Sequence, residues 1–421
     1  MEKKIFTVAI IGVGARGANA YGWQFNDATD KFNIVALCDI LGERLDVYGE
    51  KFGVKEENRF SDENEFFKEK RADVLLIATP DKCHVQHALK AFELGYDSMV
   101  EKPLSDNREE CEALLAAQKQ YGGKALVCHV LRYAPAFVKA KEFLEQGAIG
   151  KLIQIEALER VGTWHQAHSY VRGNWRNLDC SAPMILAKCC HDLDLLQYYA
   201  GSKCTSVSSV GDLSYFKKEN APANATDRCT TCPLKETCAY SAKRIYIDQW
   251  NDRSCPEDIW PFNVLVQAPI TEEKLWKALE EGPYGRCVFH CDNNVVDHQL
   301  TQMSFENGVK ASLSMTGYTA YGGRRIVFHG TDGEMILDEI PNTLEVLHYV
   351  NGPQKYDINQ LAEAGYGHGG GDIFIVRKLY DILCGDESIE TSLEASVESH
   401  LMGICAEESR LQDGKLVYVH K

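Results

Sequence analysis

The sequence lacks an apolar run long enough to cross a bilayer, and its N-terminal apolar stretch lacks the small-residue cleavage site of a signal peptide. Basic residues are few relative to acidic ones, 45 against 61, so the formal net charge is −16. Such an acidic surface repels phosphate backbones and anionic membranes, which argues against a nucleic acid or a membrane as partner. We expect a cytoplasmic protein.

The composition is typical of a soluble globular protein, with 45% apolar and 25% charged residues. A chain of 421 residues predicts two or three domains at about 150 residues each, and two is the simpler division. Its 16 cysteines are too few for a disulfide scaffold. In a reducing compartment, clustered cysteines are more often free thiols or metal ligands than disulfides.

The first 130 residues alternate between short apolar runs and longer amphipathic stretches. The short runs predict strands buried on both faces, as in a parallel sheet, over residues 5–11, 34–38, 74–78, 98–100 and 125–128. The stretches between them have helical spacing, for example over residues 41–52, 84–94 and 108–121. This rhythm predicts a doubly wound α/β domain over residues 1–130.

A different pattern follows and predicts a second domain over residues 131–421. It begins with a helix over residues 136–146. Alternating apolar and polar residues then predict strands over residues 152–160, 299–305, 309–316, 325–329 and 334–337. We expect a mainly antiparallel sheet with helices on one face. The polar segment 217–228 predicts an exposed loop that opens a cysteine-containing insertion near residues 217–260.

A glycine pattern between the first predicted strand and helix indicates a dinucleotide site. In this segment, residues 12–17, Gly12 would permit a tight turn, Gly14 the approach of a pyrophosphate, and Gly17 close packing of helix on sheet. Ala15 and Arg16 would lie beside the phosphates at the helix N-terminus. Asp39 ends the second predicted strand, where a carboxylate accepts ribose hydroxyls and repels a 2′-phosphate, so NAD is favoured over NADP. The alternative is a strand-turn-helix whose glycines serve packing alone.

Two further candidate segments follow the third and fourth main strands. One contains Thr79, Pro80 and His84, and the other contains Glu101, Lys102 and a proline. Open α/β sheets bind their ligands at the carboxyl ends of the strands. Lys102 could therefore reach both a nicotinamide ring and a substrate hydroxyl. The alternative is a surface lysine that precedes a helix-starting proline.

The chain resembles the Gfo/Idh/MocA oxidoreductases, the family of glucose-fructose oxidoreductase and inositol dehydrogenase. The resemblance rests on motifs that occur in order along almost the whole chain: Gly12-x-Gly14-x-x-Gly17, Ala78-Thr79-Pro80, Glu101-Lys102-Pro103, Arg132-Tyr133-x-Pro135, Gly147-x-Ile149-Gly150, Trp175-Arg176, His191-x-x-Asp194, Gly330-Thr331-x-Gly333 and His368-Gly369-Gly370-Gly371-Asp372. It implies a Rossmann domain, an α/β domain with a large open antiparallel sheet, and a homodimer or homotetramer assembled through that sheet.

The resemblance also implies hydride transfer between NAD(P) and a sugar-like alcohol. It assigns Lys102 to the reacting hydroxyl and His191 to the base. This pair suits the chemistry, because oxidation of an alcohol needs a group that takes the hydroxyl proton and a cation that favours the alkoxide. Without the resemblance, His191 would more often be a structural histidine.

One position departs from the family pattern. Many members carry an aspartate four residues before that histidine, and this chain has Ala187 there. Lys188 is then a candidate substrate contact, and Asp194 a candidate to orient the imidazole. Cys189 and Cys190 are either redox-active or, more simply, small buried helix residues.

Other candidate substrate contacts lie in the second domain. Trp164 and His165 open a segment rich in aromatic and imidazole groups, which suits sugar recognition, although a half-exposed connecting loop explains it equally well. The matched family motifs add Arg132, Tyr133, Trp175 and Arg176.

The insertion holds a possible metal site. Cys229, Cys232 and Cys238 form a C-x2-C-x5-C pattern, and Cys255 follows, a set that suits a structural zinc ion and less well an iron-sulfur cluster. Because the insertion looks short and polar, a metal would replace a core that it could not otherwise build. Cys287 and Cys291 are competing ligands, and unligated thiols remain the alternative.

Three functions fit these residues. The first is an NAD-dependent dehydrogenase acting on a secondary hydroxyl of a sugar, glycoside or polyol. The second is a redox-recycling glycosidase or epimerase that oxidises a sugar transiently with retained NAD. Both would use Lys102 and His191, and they differ in whether NADH accumulates. The third is a non-catalytic NAD-sensing protein, which Ala187 leaves open.

Overall fold

The computed structural model describes residues 4–252, 260–267, 269–360, 367–385 and 389–420. Its first sheet contains β1 (Phe6–Ile11), β2 (Phe32–Cys38), β3 (Arg59–Phe60), β4 (Val74–Ile77), β5 (Asp97–Val100) and β6 (Ala125–Val127). The strand order is β3-β2-β1-β4-β5-β6, and every pair is parallel. The predicted doubly wound α/β fold is confirmed. The apolar runs predicted it well because these strands are buried on both faces.

Helices cover the first sheet. The longer ones are Gly42–Lys51, His84–Glu93 and Arg108–Tyr121, and shorter segments are Ala15–Gly22, Trp23–Asp27, Glu56–Asn58, Glu63–Phe66, Asp81–Cys83 and Val130–Tyr133.

A helix from far along the chain, Gly371–Cys384, also packs on this sheet. Its Tyr380 ring lies edge-on to Phe6 and Phe32, with centroids 5.9 and 5.8 Å away. The first half therefore completes its core with a helix that lies near the far end of the sequence.

The second sheet is large and mainly antiparallel. It contains β7 (Leu152–Arg160), β8 (Cys204–Asp212), β9 (His298–Phe305), β10 (Lys310–Thr316), β11 (Gly323–Gly330), β12 (Gly333–Asp338), β13 (Thr343–His348), β14 (Gly352–Asp357) and β15 (Val417–Tyr418). The order is β14-β13-β12-β11-β7-β10-β9-β8-β15, and only β7 and β10 pair in parallel. This part of the predicted fold class is also confirmed.

One face of the second sheet is buried by helices, and the other is open. The helices of the second half are Pro135–Glu145, Met184–Ala187, Cys190–Ala200, Glu272–Glu281 and Leu393–Arg410, with shorter segments Thr163–His165, Gln166–Arg172, Lys218–Asn220, Lys243–Asp248, Gln249–Asp252, Phe262–Leu265, Pro283–Gly285, Ile358–Gln360 and Gly367–Gly370. Alternate residues of β9 and β10 are buried, as a one-sided sheet requires. No helix in the described ranges is long and apolar enough to span a bilayer.

The insertion between β8 and β9 is longer than predicted and has its own apolar cluster. Buried members of this cluster include Phe216, Tyr246, Leu275, Leu279 and Phe289. The interpretation that the insertion cannot build a core is therefore wrong. Most of that core comes from aromatic and aliphatic residues beyond residue 240, and the polar stretch at residues 217–228 concealed it.

Candidate functional site

The loop after β1 has the geometry of a dinucleotide cradle. Gly12 has a φ of +88°, and a Cβ there would lie 2.4 Å from the carbonyl oxygen of Ala78 on the neighbouring strand segment. A Cβ on Gly17 would lie 1.9 Å from the carbonyl oxygen of Gly12, so only glycine permits this packing of the helix. At Gly14, a Cβ would approach only the end of the Arg44 side chain, at 3.5 Å. The space that a pyrophosphate needs is therefore open at the start of segment Ala15–Gly22.

Asp39 lies directly after β2 and helps to shape this loop. Its Oδ2 accepts a hydrogen bond from the backbone N–H of Val13 at 2.8 Å, and its Oδ1 accepts one from Leu41 N–H at 2.9 Å. The Arg44 guanidinium lies 3.4 Å from the same carboxylate. The carboxylate thus stands at the edge of the cradle, where ribose hydroxyls bind in dinucleotide-binding folds.

Arg16 links the cradle to the segment that carries Lys102. Its Nε donates to Glu101 at 2.7 Å, its Nη2 lies 2.9 Å from Asp372, and it also contacts the Tyr21 hydroxyl. Burial alone would raise the pKa of Glu101, but the charge of Arg16 lowers it below its usual value. Glu101 accepts a hydrogen bond from Lys102 N–H at 3.0 Å. Glu101 is therefore ionised and fixes the backbone at Lys102.

Hydrogen bonds connect the segment after β4 to the segment that carries Lys102. The two ring nitrogens of His84 lie within hydrogen-bond distance of the carbonyl oxygens of Pro103, at 2.7 Å, and Thr79, at 2.8 Å. The Thr79 hydroxyl lies 3.0 Å from His87 Nδ1. Pro80 directly precedes the short helical turn Asp81–Cys83. Both strand-end segments thus form one unit, in which His84 positions the residues around Lys102.

Lys102 and His191 come together from the two halves of the molecule. Lys102 Nζ donates to the carbonyl oxygen of Ala187 at 3.4 Å, one turn before His191 in the chain. Burial lowers the pKa of His191 well below its ordinary value, and the charge of Lys102 lowers it further. His191 Nδ1 has no hydrogen-bond partner among the described residues. The imidazole is therefore neutral near pH 7, which is the form that can act as a base toward a bound hydroxyl.

Three more histidines form a row with His191. The ring centroid of His368 lies 5.9 Å from that of His191, His129 lies 5.9 Å away, and His400 lies 5.7 Å beyond His129. His368 Nδ1 lies 3.1 Å from Asp372, which joins the row to the Arg16 network. Burial lowers the pKa of His129 and lowers that of His400 to about 3. The interior behind His191 is therefore kept free of charged imidazole.

Sequence comparison identifies the family that shares this architecture. Residues 6–129 match the sequence model of an oxidoreductase family with an NAD-binding Rossmann fold, and residues 141–413 match that of its C-terminal α/β domain. Both models describe one family. The chain belongs to the Gfo/Idh/MocA oxidoreductases. It is thus an oxidoreductase with an NAD-binding domain.

Several named proteins are similar to this chain. YteT of Bacillus subtilis, named as an oxidoreductase, is 25% identical over 389 residues, which cover 85% of this chain and 86% of YteT. The scyllo-inositol 2-dehydrogenase (NAD+) of Bacillus subtilis is 29% identical over 203 residues, 48% of this chain and 56% of that protein.

Two solved structures share the fold over the whole chain. A levoglucosan dehydrogenase in complex with NADH and levoglucosan superposes with a TM-score of 0.71 at 19% identity, covering 99% of this chain and 100% of the other. An oxidoreductase from Agrobacterium radiobacter in complex with NAD+, L-tartaric acid and magnesium superposes with a TM-score of 0.69 at 17% identity, covering 98% of both chains. At these identities the likeness shows the fold alone.

The surroundings of Ala187 differ from what the Gfo/Idh/MocA pattern led us to expect. Lys188 Nζ forms an ion pair with buried Glu159 at 3.1 Å, and Arg324 pairs with Glu159 and Asp192 at 2.9 and 2.8 Å. Burial raises the pKa of Asp192, and Arg324 opposes that rise. Lys188 is therefore held by a carboxylate beside the candidate site. Its contact with a substrate stays a prediction.

The expectation that Asp194 orients His191 is wrong. Both Asp194 oxygens accept hydrogen bonds from Arg132 at 2.7 Å, in a bidentate buried pair. Such a pair satisfies the charge of each partner inside the protein. Because Arg132 is buried against Asp194, little of its guanidinium is left for a substrate. Tyr133 is also buried, and its hydroxyl lies 2.9 Å from that of Thr391.

The other motif residues take up separate positions. The Trp175 indole N–H points to Asp81 Oδ1 at 3.4 Å, next to the strand-end segment of the cofactor domain. Arg176 forms a bidentate ion pair with Asp292, at 2.8 and 3.1 Å, toward the insertion. Trp175 thus adjoins the candidate site, and Arg176 is engaged elsewhere.

An aromatic surface stands next to Lys102 and Lys188. The Trp164 and His165 rings pack against Trp260, with centroids 4.8 and 4.9 Å apart. Burial, with the charges of Lys188, His168 and Lys102, lowers the pKa of His165 well below its ordinary value. Trp260 could not be assigned to this surface from the sequence, because it lies in the insertion and reaches the surface only through the fold.

The structure does not support a zinc ion at the predicted cysteine set. Cys255 lies outside the described residues, and within the described ranges no three His, Cys, Asp or Glu side chains already form a metal-binding group. Cys189 and Cys190 are both buried, and burial raises the pKa of each thiol. Protonated thiols are poor nucleophiles, which favours packing residues at these two positions.

Other functional candidates were missed because single charged residues carry no visible pattern. Glu159 and Arg324 lie on strands β7 and β11, where the alternation predicted only which face is buried. Asp372 was recognised as the last residue of a motif, but its ion pair with Arg16 was not foreseen because it spans most of the chain. His129 could have been suspected, because a buried strand ends directly before it.

Proposed function

We propose that this protein transfers a hydride between NAD and a secondary hydroxyl of a sugar, glycoside or polyol. The observation that carries the proposal is the convergence of Lys102 from the cofactor domain with a neutral, buried His191 from the second domain. Bound NAD would supply the hydride acceptor in this reaction. The open space at Gly14 and the carboxylate of Asp39 suit that cofactor.

Lys102 and His191 would have different roles at the substrate hydroxyl. The Lys102 ammonium would donate a hydrogen bond to the hydroxyl oxygen and favour its alkoxide character. The neutral imidazole of His191 would take the hydroxyl proton. Because Lys102 and His368 both disfavour a charged imidazole, the proton would leave His191 readily after each turnover.

Two neighbouring features support a carbohydrate as substrate. The surface of Trp164, His165 and Trp260 offers apolar ring faces together with hydrogen-bonding edges, which suit the faces of a sugar ring. The charges beside it are paired, since Lys188 and Arg324 face Glu159 and Asp192. We therefore propose an uncharged substrate, and we propose NAD over NADP because Asp39 would repel a 2′-phosphate.

One assay tests the proposal. Purified protein is incubated with excess NAD and a panel of sugars, polyols and glycosides, and NADH and products are followed together. Growth of NADH with an oxidised product supports the dehydrogenase. Cleaved or epimerised sugar without net NADH indicates the recycling reaction instead, and a protein that binds NAD but turns over no member of the panel points to the sensing function.

Substitutions test whether Lys102 and His191 take part in the reaction. Lys102→Ala and His191→Asn are each expected to reduce kcat/KM by about 10²–10⁴-fold while the protein still binds NADH. Exposed Lys119→Ala and exposed His420→Asn are the matched controls and should keep the wild-type rate. If Lys102→Ala keeps wild-type activity, the assignment is refuted.

We also propose that the protein is a homodimer or homotetramer that assembles through the open face of the second sheet. Val210 and Leu300 are cross-strand partners on this face, and 48% and 53% of their surface is exposed. Neighbouring exposed aliphatic side chains of this kind are typical of protein interfaces.

A further inference from the structure

Four cysteines of the insertion line one small cavity. Cys229, Cys232, Cys238 and Cys287 surround it together with Arg172, and its volume is about 20 Å³. This is close to the space of a single water-sized sphere. The remaining wall is formed by apolar side chains such as Leu234 and Phe289.

Backbone hydrogen bonds hold the cysteine segments together. Cys229 N–H donates to the carbonyl oxygen of Gly285 at 2.8 Å, and Cys287 N–H donates to that of Asp227, also at 2.8 Å. Cys232 N–H in turn donates to the carbonyl oxygen of Cys229 at 3.3 Å, in a tight turn. Cys287 is thus fixed beside the C-x2-C turn although 55 residues separate it from Cys232.

Arg172 indicates what charge the cavity is built to hold. Its side chain is 0% exposed, and within the described ranges it has no carboxylate partner. Its Nε and Nη2 donate to the carbonyl oxygens of Arg286 and Tyr240, each at 2.7 Å, and Nη2 also lies 3.5 Å from Cys229 Sγ. Its Nη1 is buried with no partner among the described residues. A buried guanidinium in this state is costly unless negative charge lies beside it.

We propose that Cys229, Cys232, Cys238 and Cys287 bind one zinc ion as thiolates, with Arg172 donating hydrogen bonds to their sulfur atoms. Binding would release the four thiol protons to solvent and leave a tetrahedral Zn–S4 unit. Its net negative charge would balance the Arg172 guanidinium and give Nη1 an acceptor. The small cavity fits a single ion, whereas an iron-sulfur cluster of several atoms needs more room.

The fourth ligand in this site differs from the one expected from the sequence. Cys287 takes the place of Cys255. In the described ranges no three His, Cys, Asp or Glu side chains are placed so that they could hold a metal ion, so binding would require the four cysteine side chains to turn toward the cavity. Since the apolar cluster already gives the insertion a core, the ion would fix its orientation rather than replace that core.

This placement connects the insertion with the aromatic surface. Arg172 ends segment Gln166–Arg172, which directly follows Trp164 and His165, and Trp260 comes from the insertion itself. A metal that joins Cys229 and Cys287 around Arg172 would thus fix both sides of that surface relative to each other. The zinc would be structural and would take no part in the redox step.

The test is the metal content of the full-length protein, purified without chelator under reducing conditions. We expect about one zinc per chain by plasma mass spectrometry. We also expect that the metal-free protein titrated with Co2+ gains the absorption of a tetrahedral thiolate complex at one equivalent. Cys232→Ser and Cys287→Ser should abolish the bound zinc. Cys291→Ser is the matched control, because Cys291 Sγ points to the Cys287 carbonyl oxygen at 3.2 Å, and it should keep zinc, as should Cys255→Ser.

Several results would overturn the proposal. They are wild-type protein with neither zinc nor a cobalt-thiolate spectrum, iron with acid-labile sulfide in place of zinc, and disulfides among the four cysteines in the reduced preparation. A further one is loss of zinc in Cys255→Ser with retention in Cys287→Ser. Because wild-type content and the cobalt spectrum need no variant, the test stands even if a serine variant does not fold.

Discussion

His400 provides a sharp test of the buried histidine row. It is fully buried on helix Leu393–Arg410, its Nδ1 lies 2.6 Å from the carbonyl oxygen of Ser396, and its Nε2 accepts the Leu104 N–H at 2.8 Å. This geometry fixes the neutral form, because a proton on Nε2 would face the Leu104 N–H. Burial is the main cause that lowers the pKa of His400 to about 3. Nearby His129 and Lys102 lower this pKa further, whereas Asp194 and the hydrogen bond to Ser396 raise it.

The depressed pKa makes stability depend on pH in a defined direction. The unfolded chain has an ordinary histidine pKa near 6.5. Below that pH it binds a proton that folded His400 does not, so stability is full above about pH 6.5 and falls as the pH drops. Between pH 7.5 and pH 5.5, His400 should account for a loss of about 1.4 kcal/mol in the free energy of unfolding.

The assay compares the wild type with His400→Gln, whose amide oxygen can still accept the Leu104 N–H but does not titrate. Urea unfolding is followed at both pH values by circular dichroism and by tryptophan fluorescence, whose transitions must coincide. The pH-dependent loss should be smaller in the variant by about 1.4 kcal/mol. Exposed His420→Gln should leave the loss unchanged. An equal loss in wild type and His400→Gln would show that His400 is not held neutral.

Three further predictions concern function and assembly. Because burial and Lys102 lower the pKa of His191, the acidic limb of the kcat/KM profile should lie below pH 6.5, and a midpoint near or above 6.5 would contradict a neutral buried base. Asp39→Ser should narrow the preference for NAD over NADP by at least tenfold in kcat/KM, and an unchanged ratio would mean that another residue selects the cofactor. Leu300→Lys should dissociate the oligomer, as measured by light scattering after size exclusion, whereas exposed Lys119→Ala should leave the mass unchanged.

Features that depend on local pattern could be predicted from the sequence. The strands of the first sheet were recognisable because both of their faces are apolar, and the glycines of the nucleotide loop because each meets a steric demand close by in the chain. Strand β8 was missed because its serines hide the alternation of buried and exposed residues. Strand β14 was missed because it lies at the edge of the sheet and none of its residues is buried.

The arrangement of charges was less predictable, because it depends on contacts between distant segments. Arg132 belongs to a motif that suggested a substrate contact, yet its guanidinium donates hydrogen bonds to the carboxylate of Asp194, which lies 62 positions later in the sequence. Lys188 likewise meets Glu159, which nothing in the sequence singles out. Spacing along one helix can place a charge on a face, but it cannot say which charge from another strand will face it.

The return of helix Gly371–Cys384 to the first sheet bears on how the chain is made. A ribosome releases the six strands of that sheet long before it releases Tyr380, whose ring covers Phe6 and Phe32. At about 5–20 residues per second, the interval lasts on the order of tens of seconds. During that time the apolar surface awaiting the helix is open to chaperones and to neighbouring nascent chains. The strands of the cofactor half are synthesised first, but its core can be completed only after most of the substrate half has been synthesised. Folding of the cofactor half therefore depends on synthesis of the substrate half.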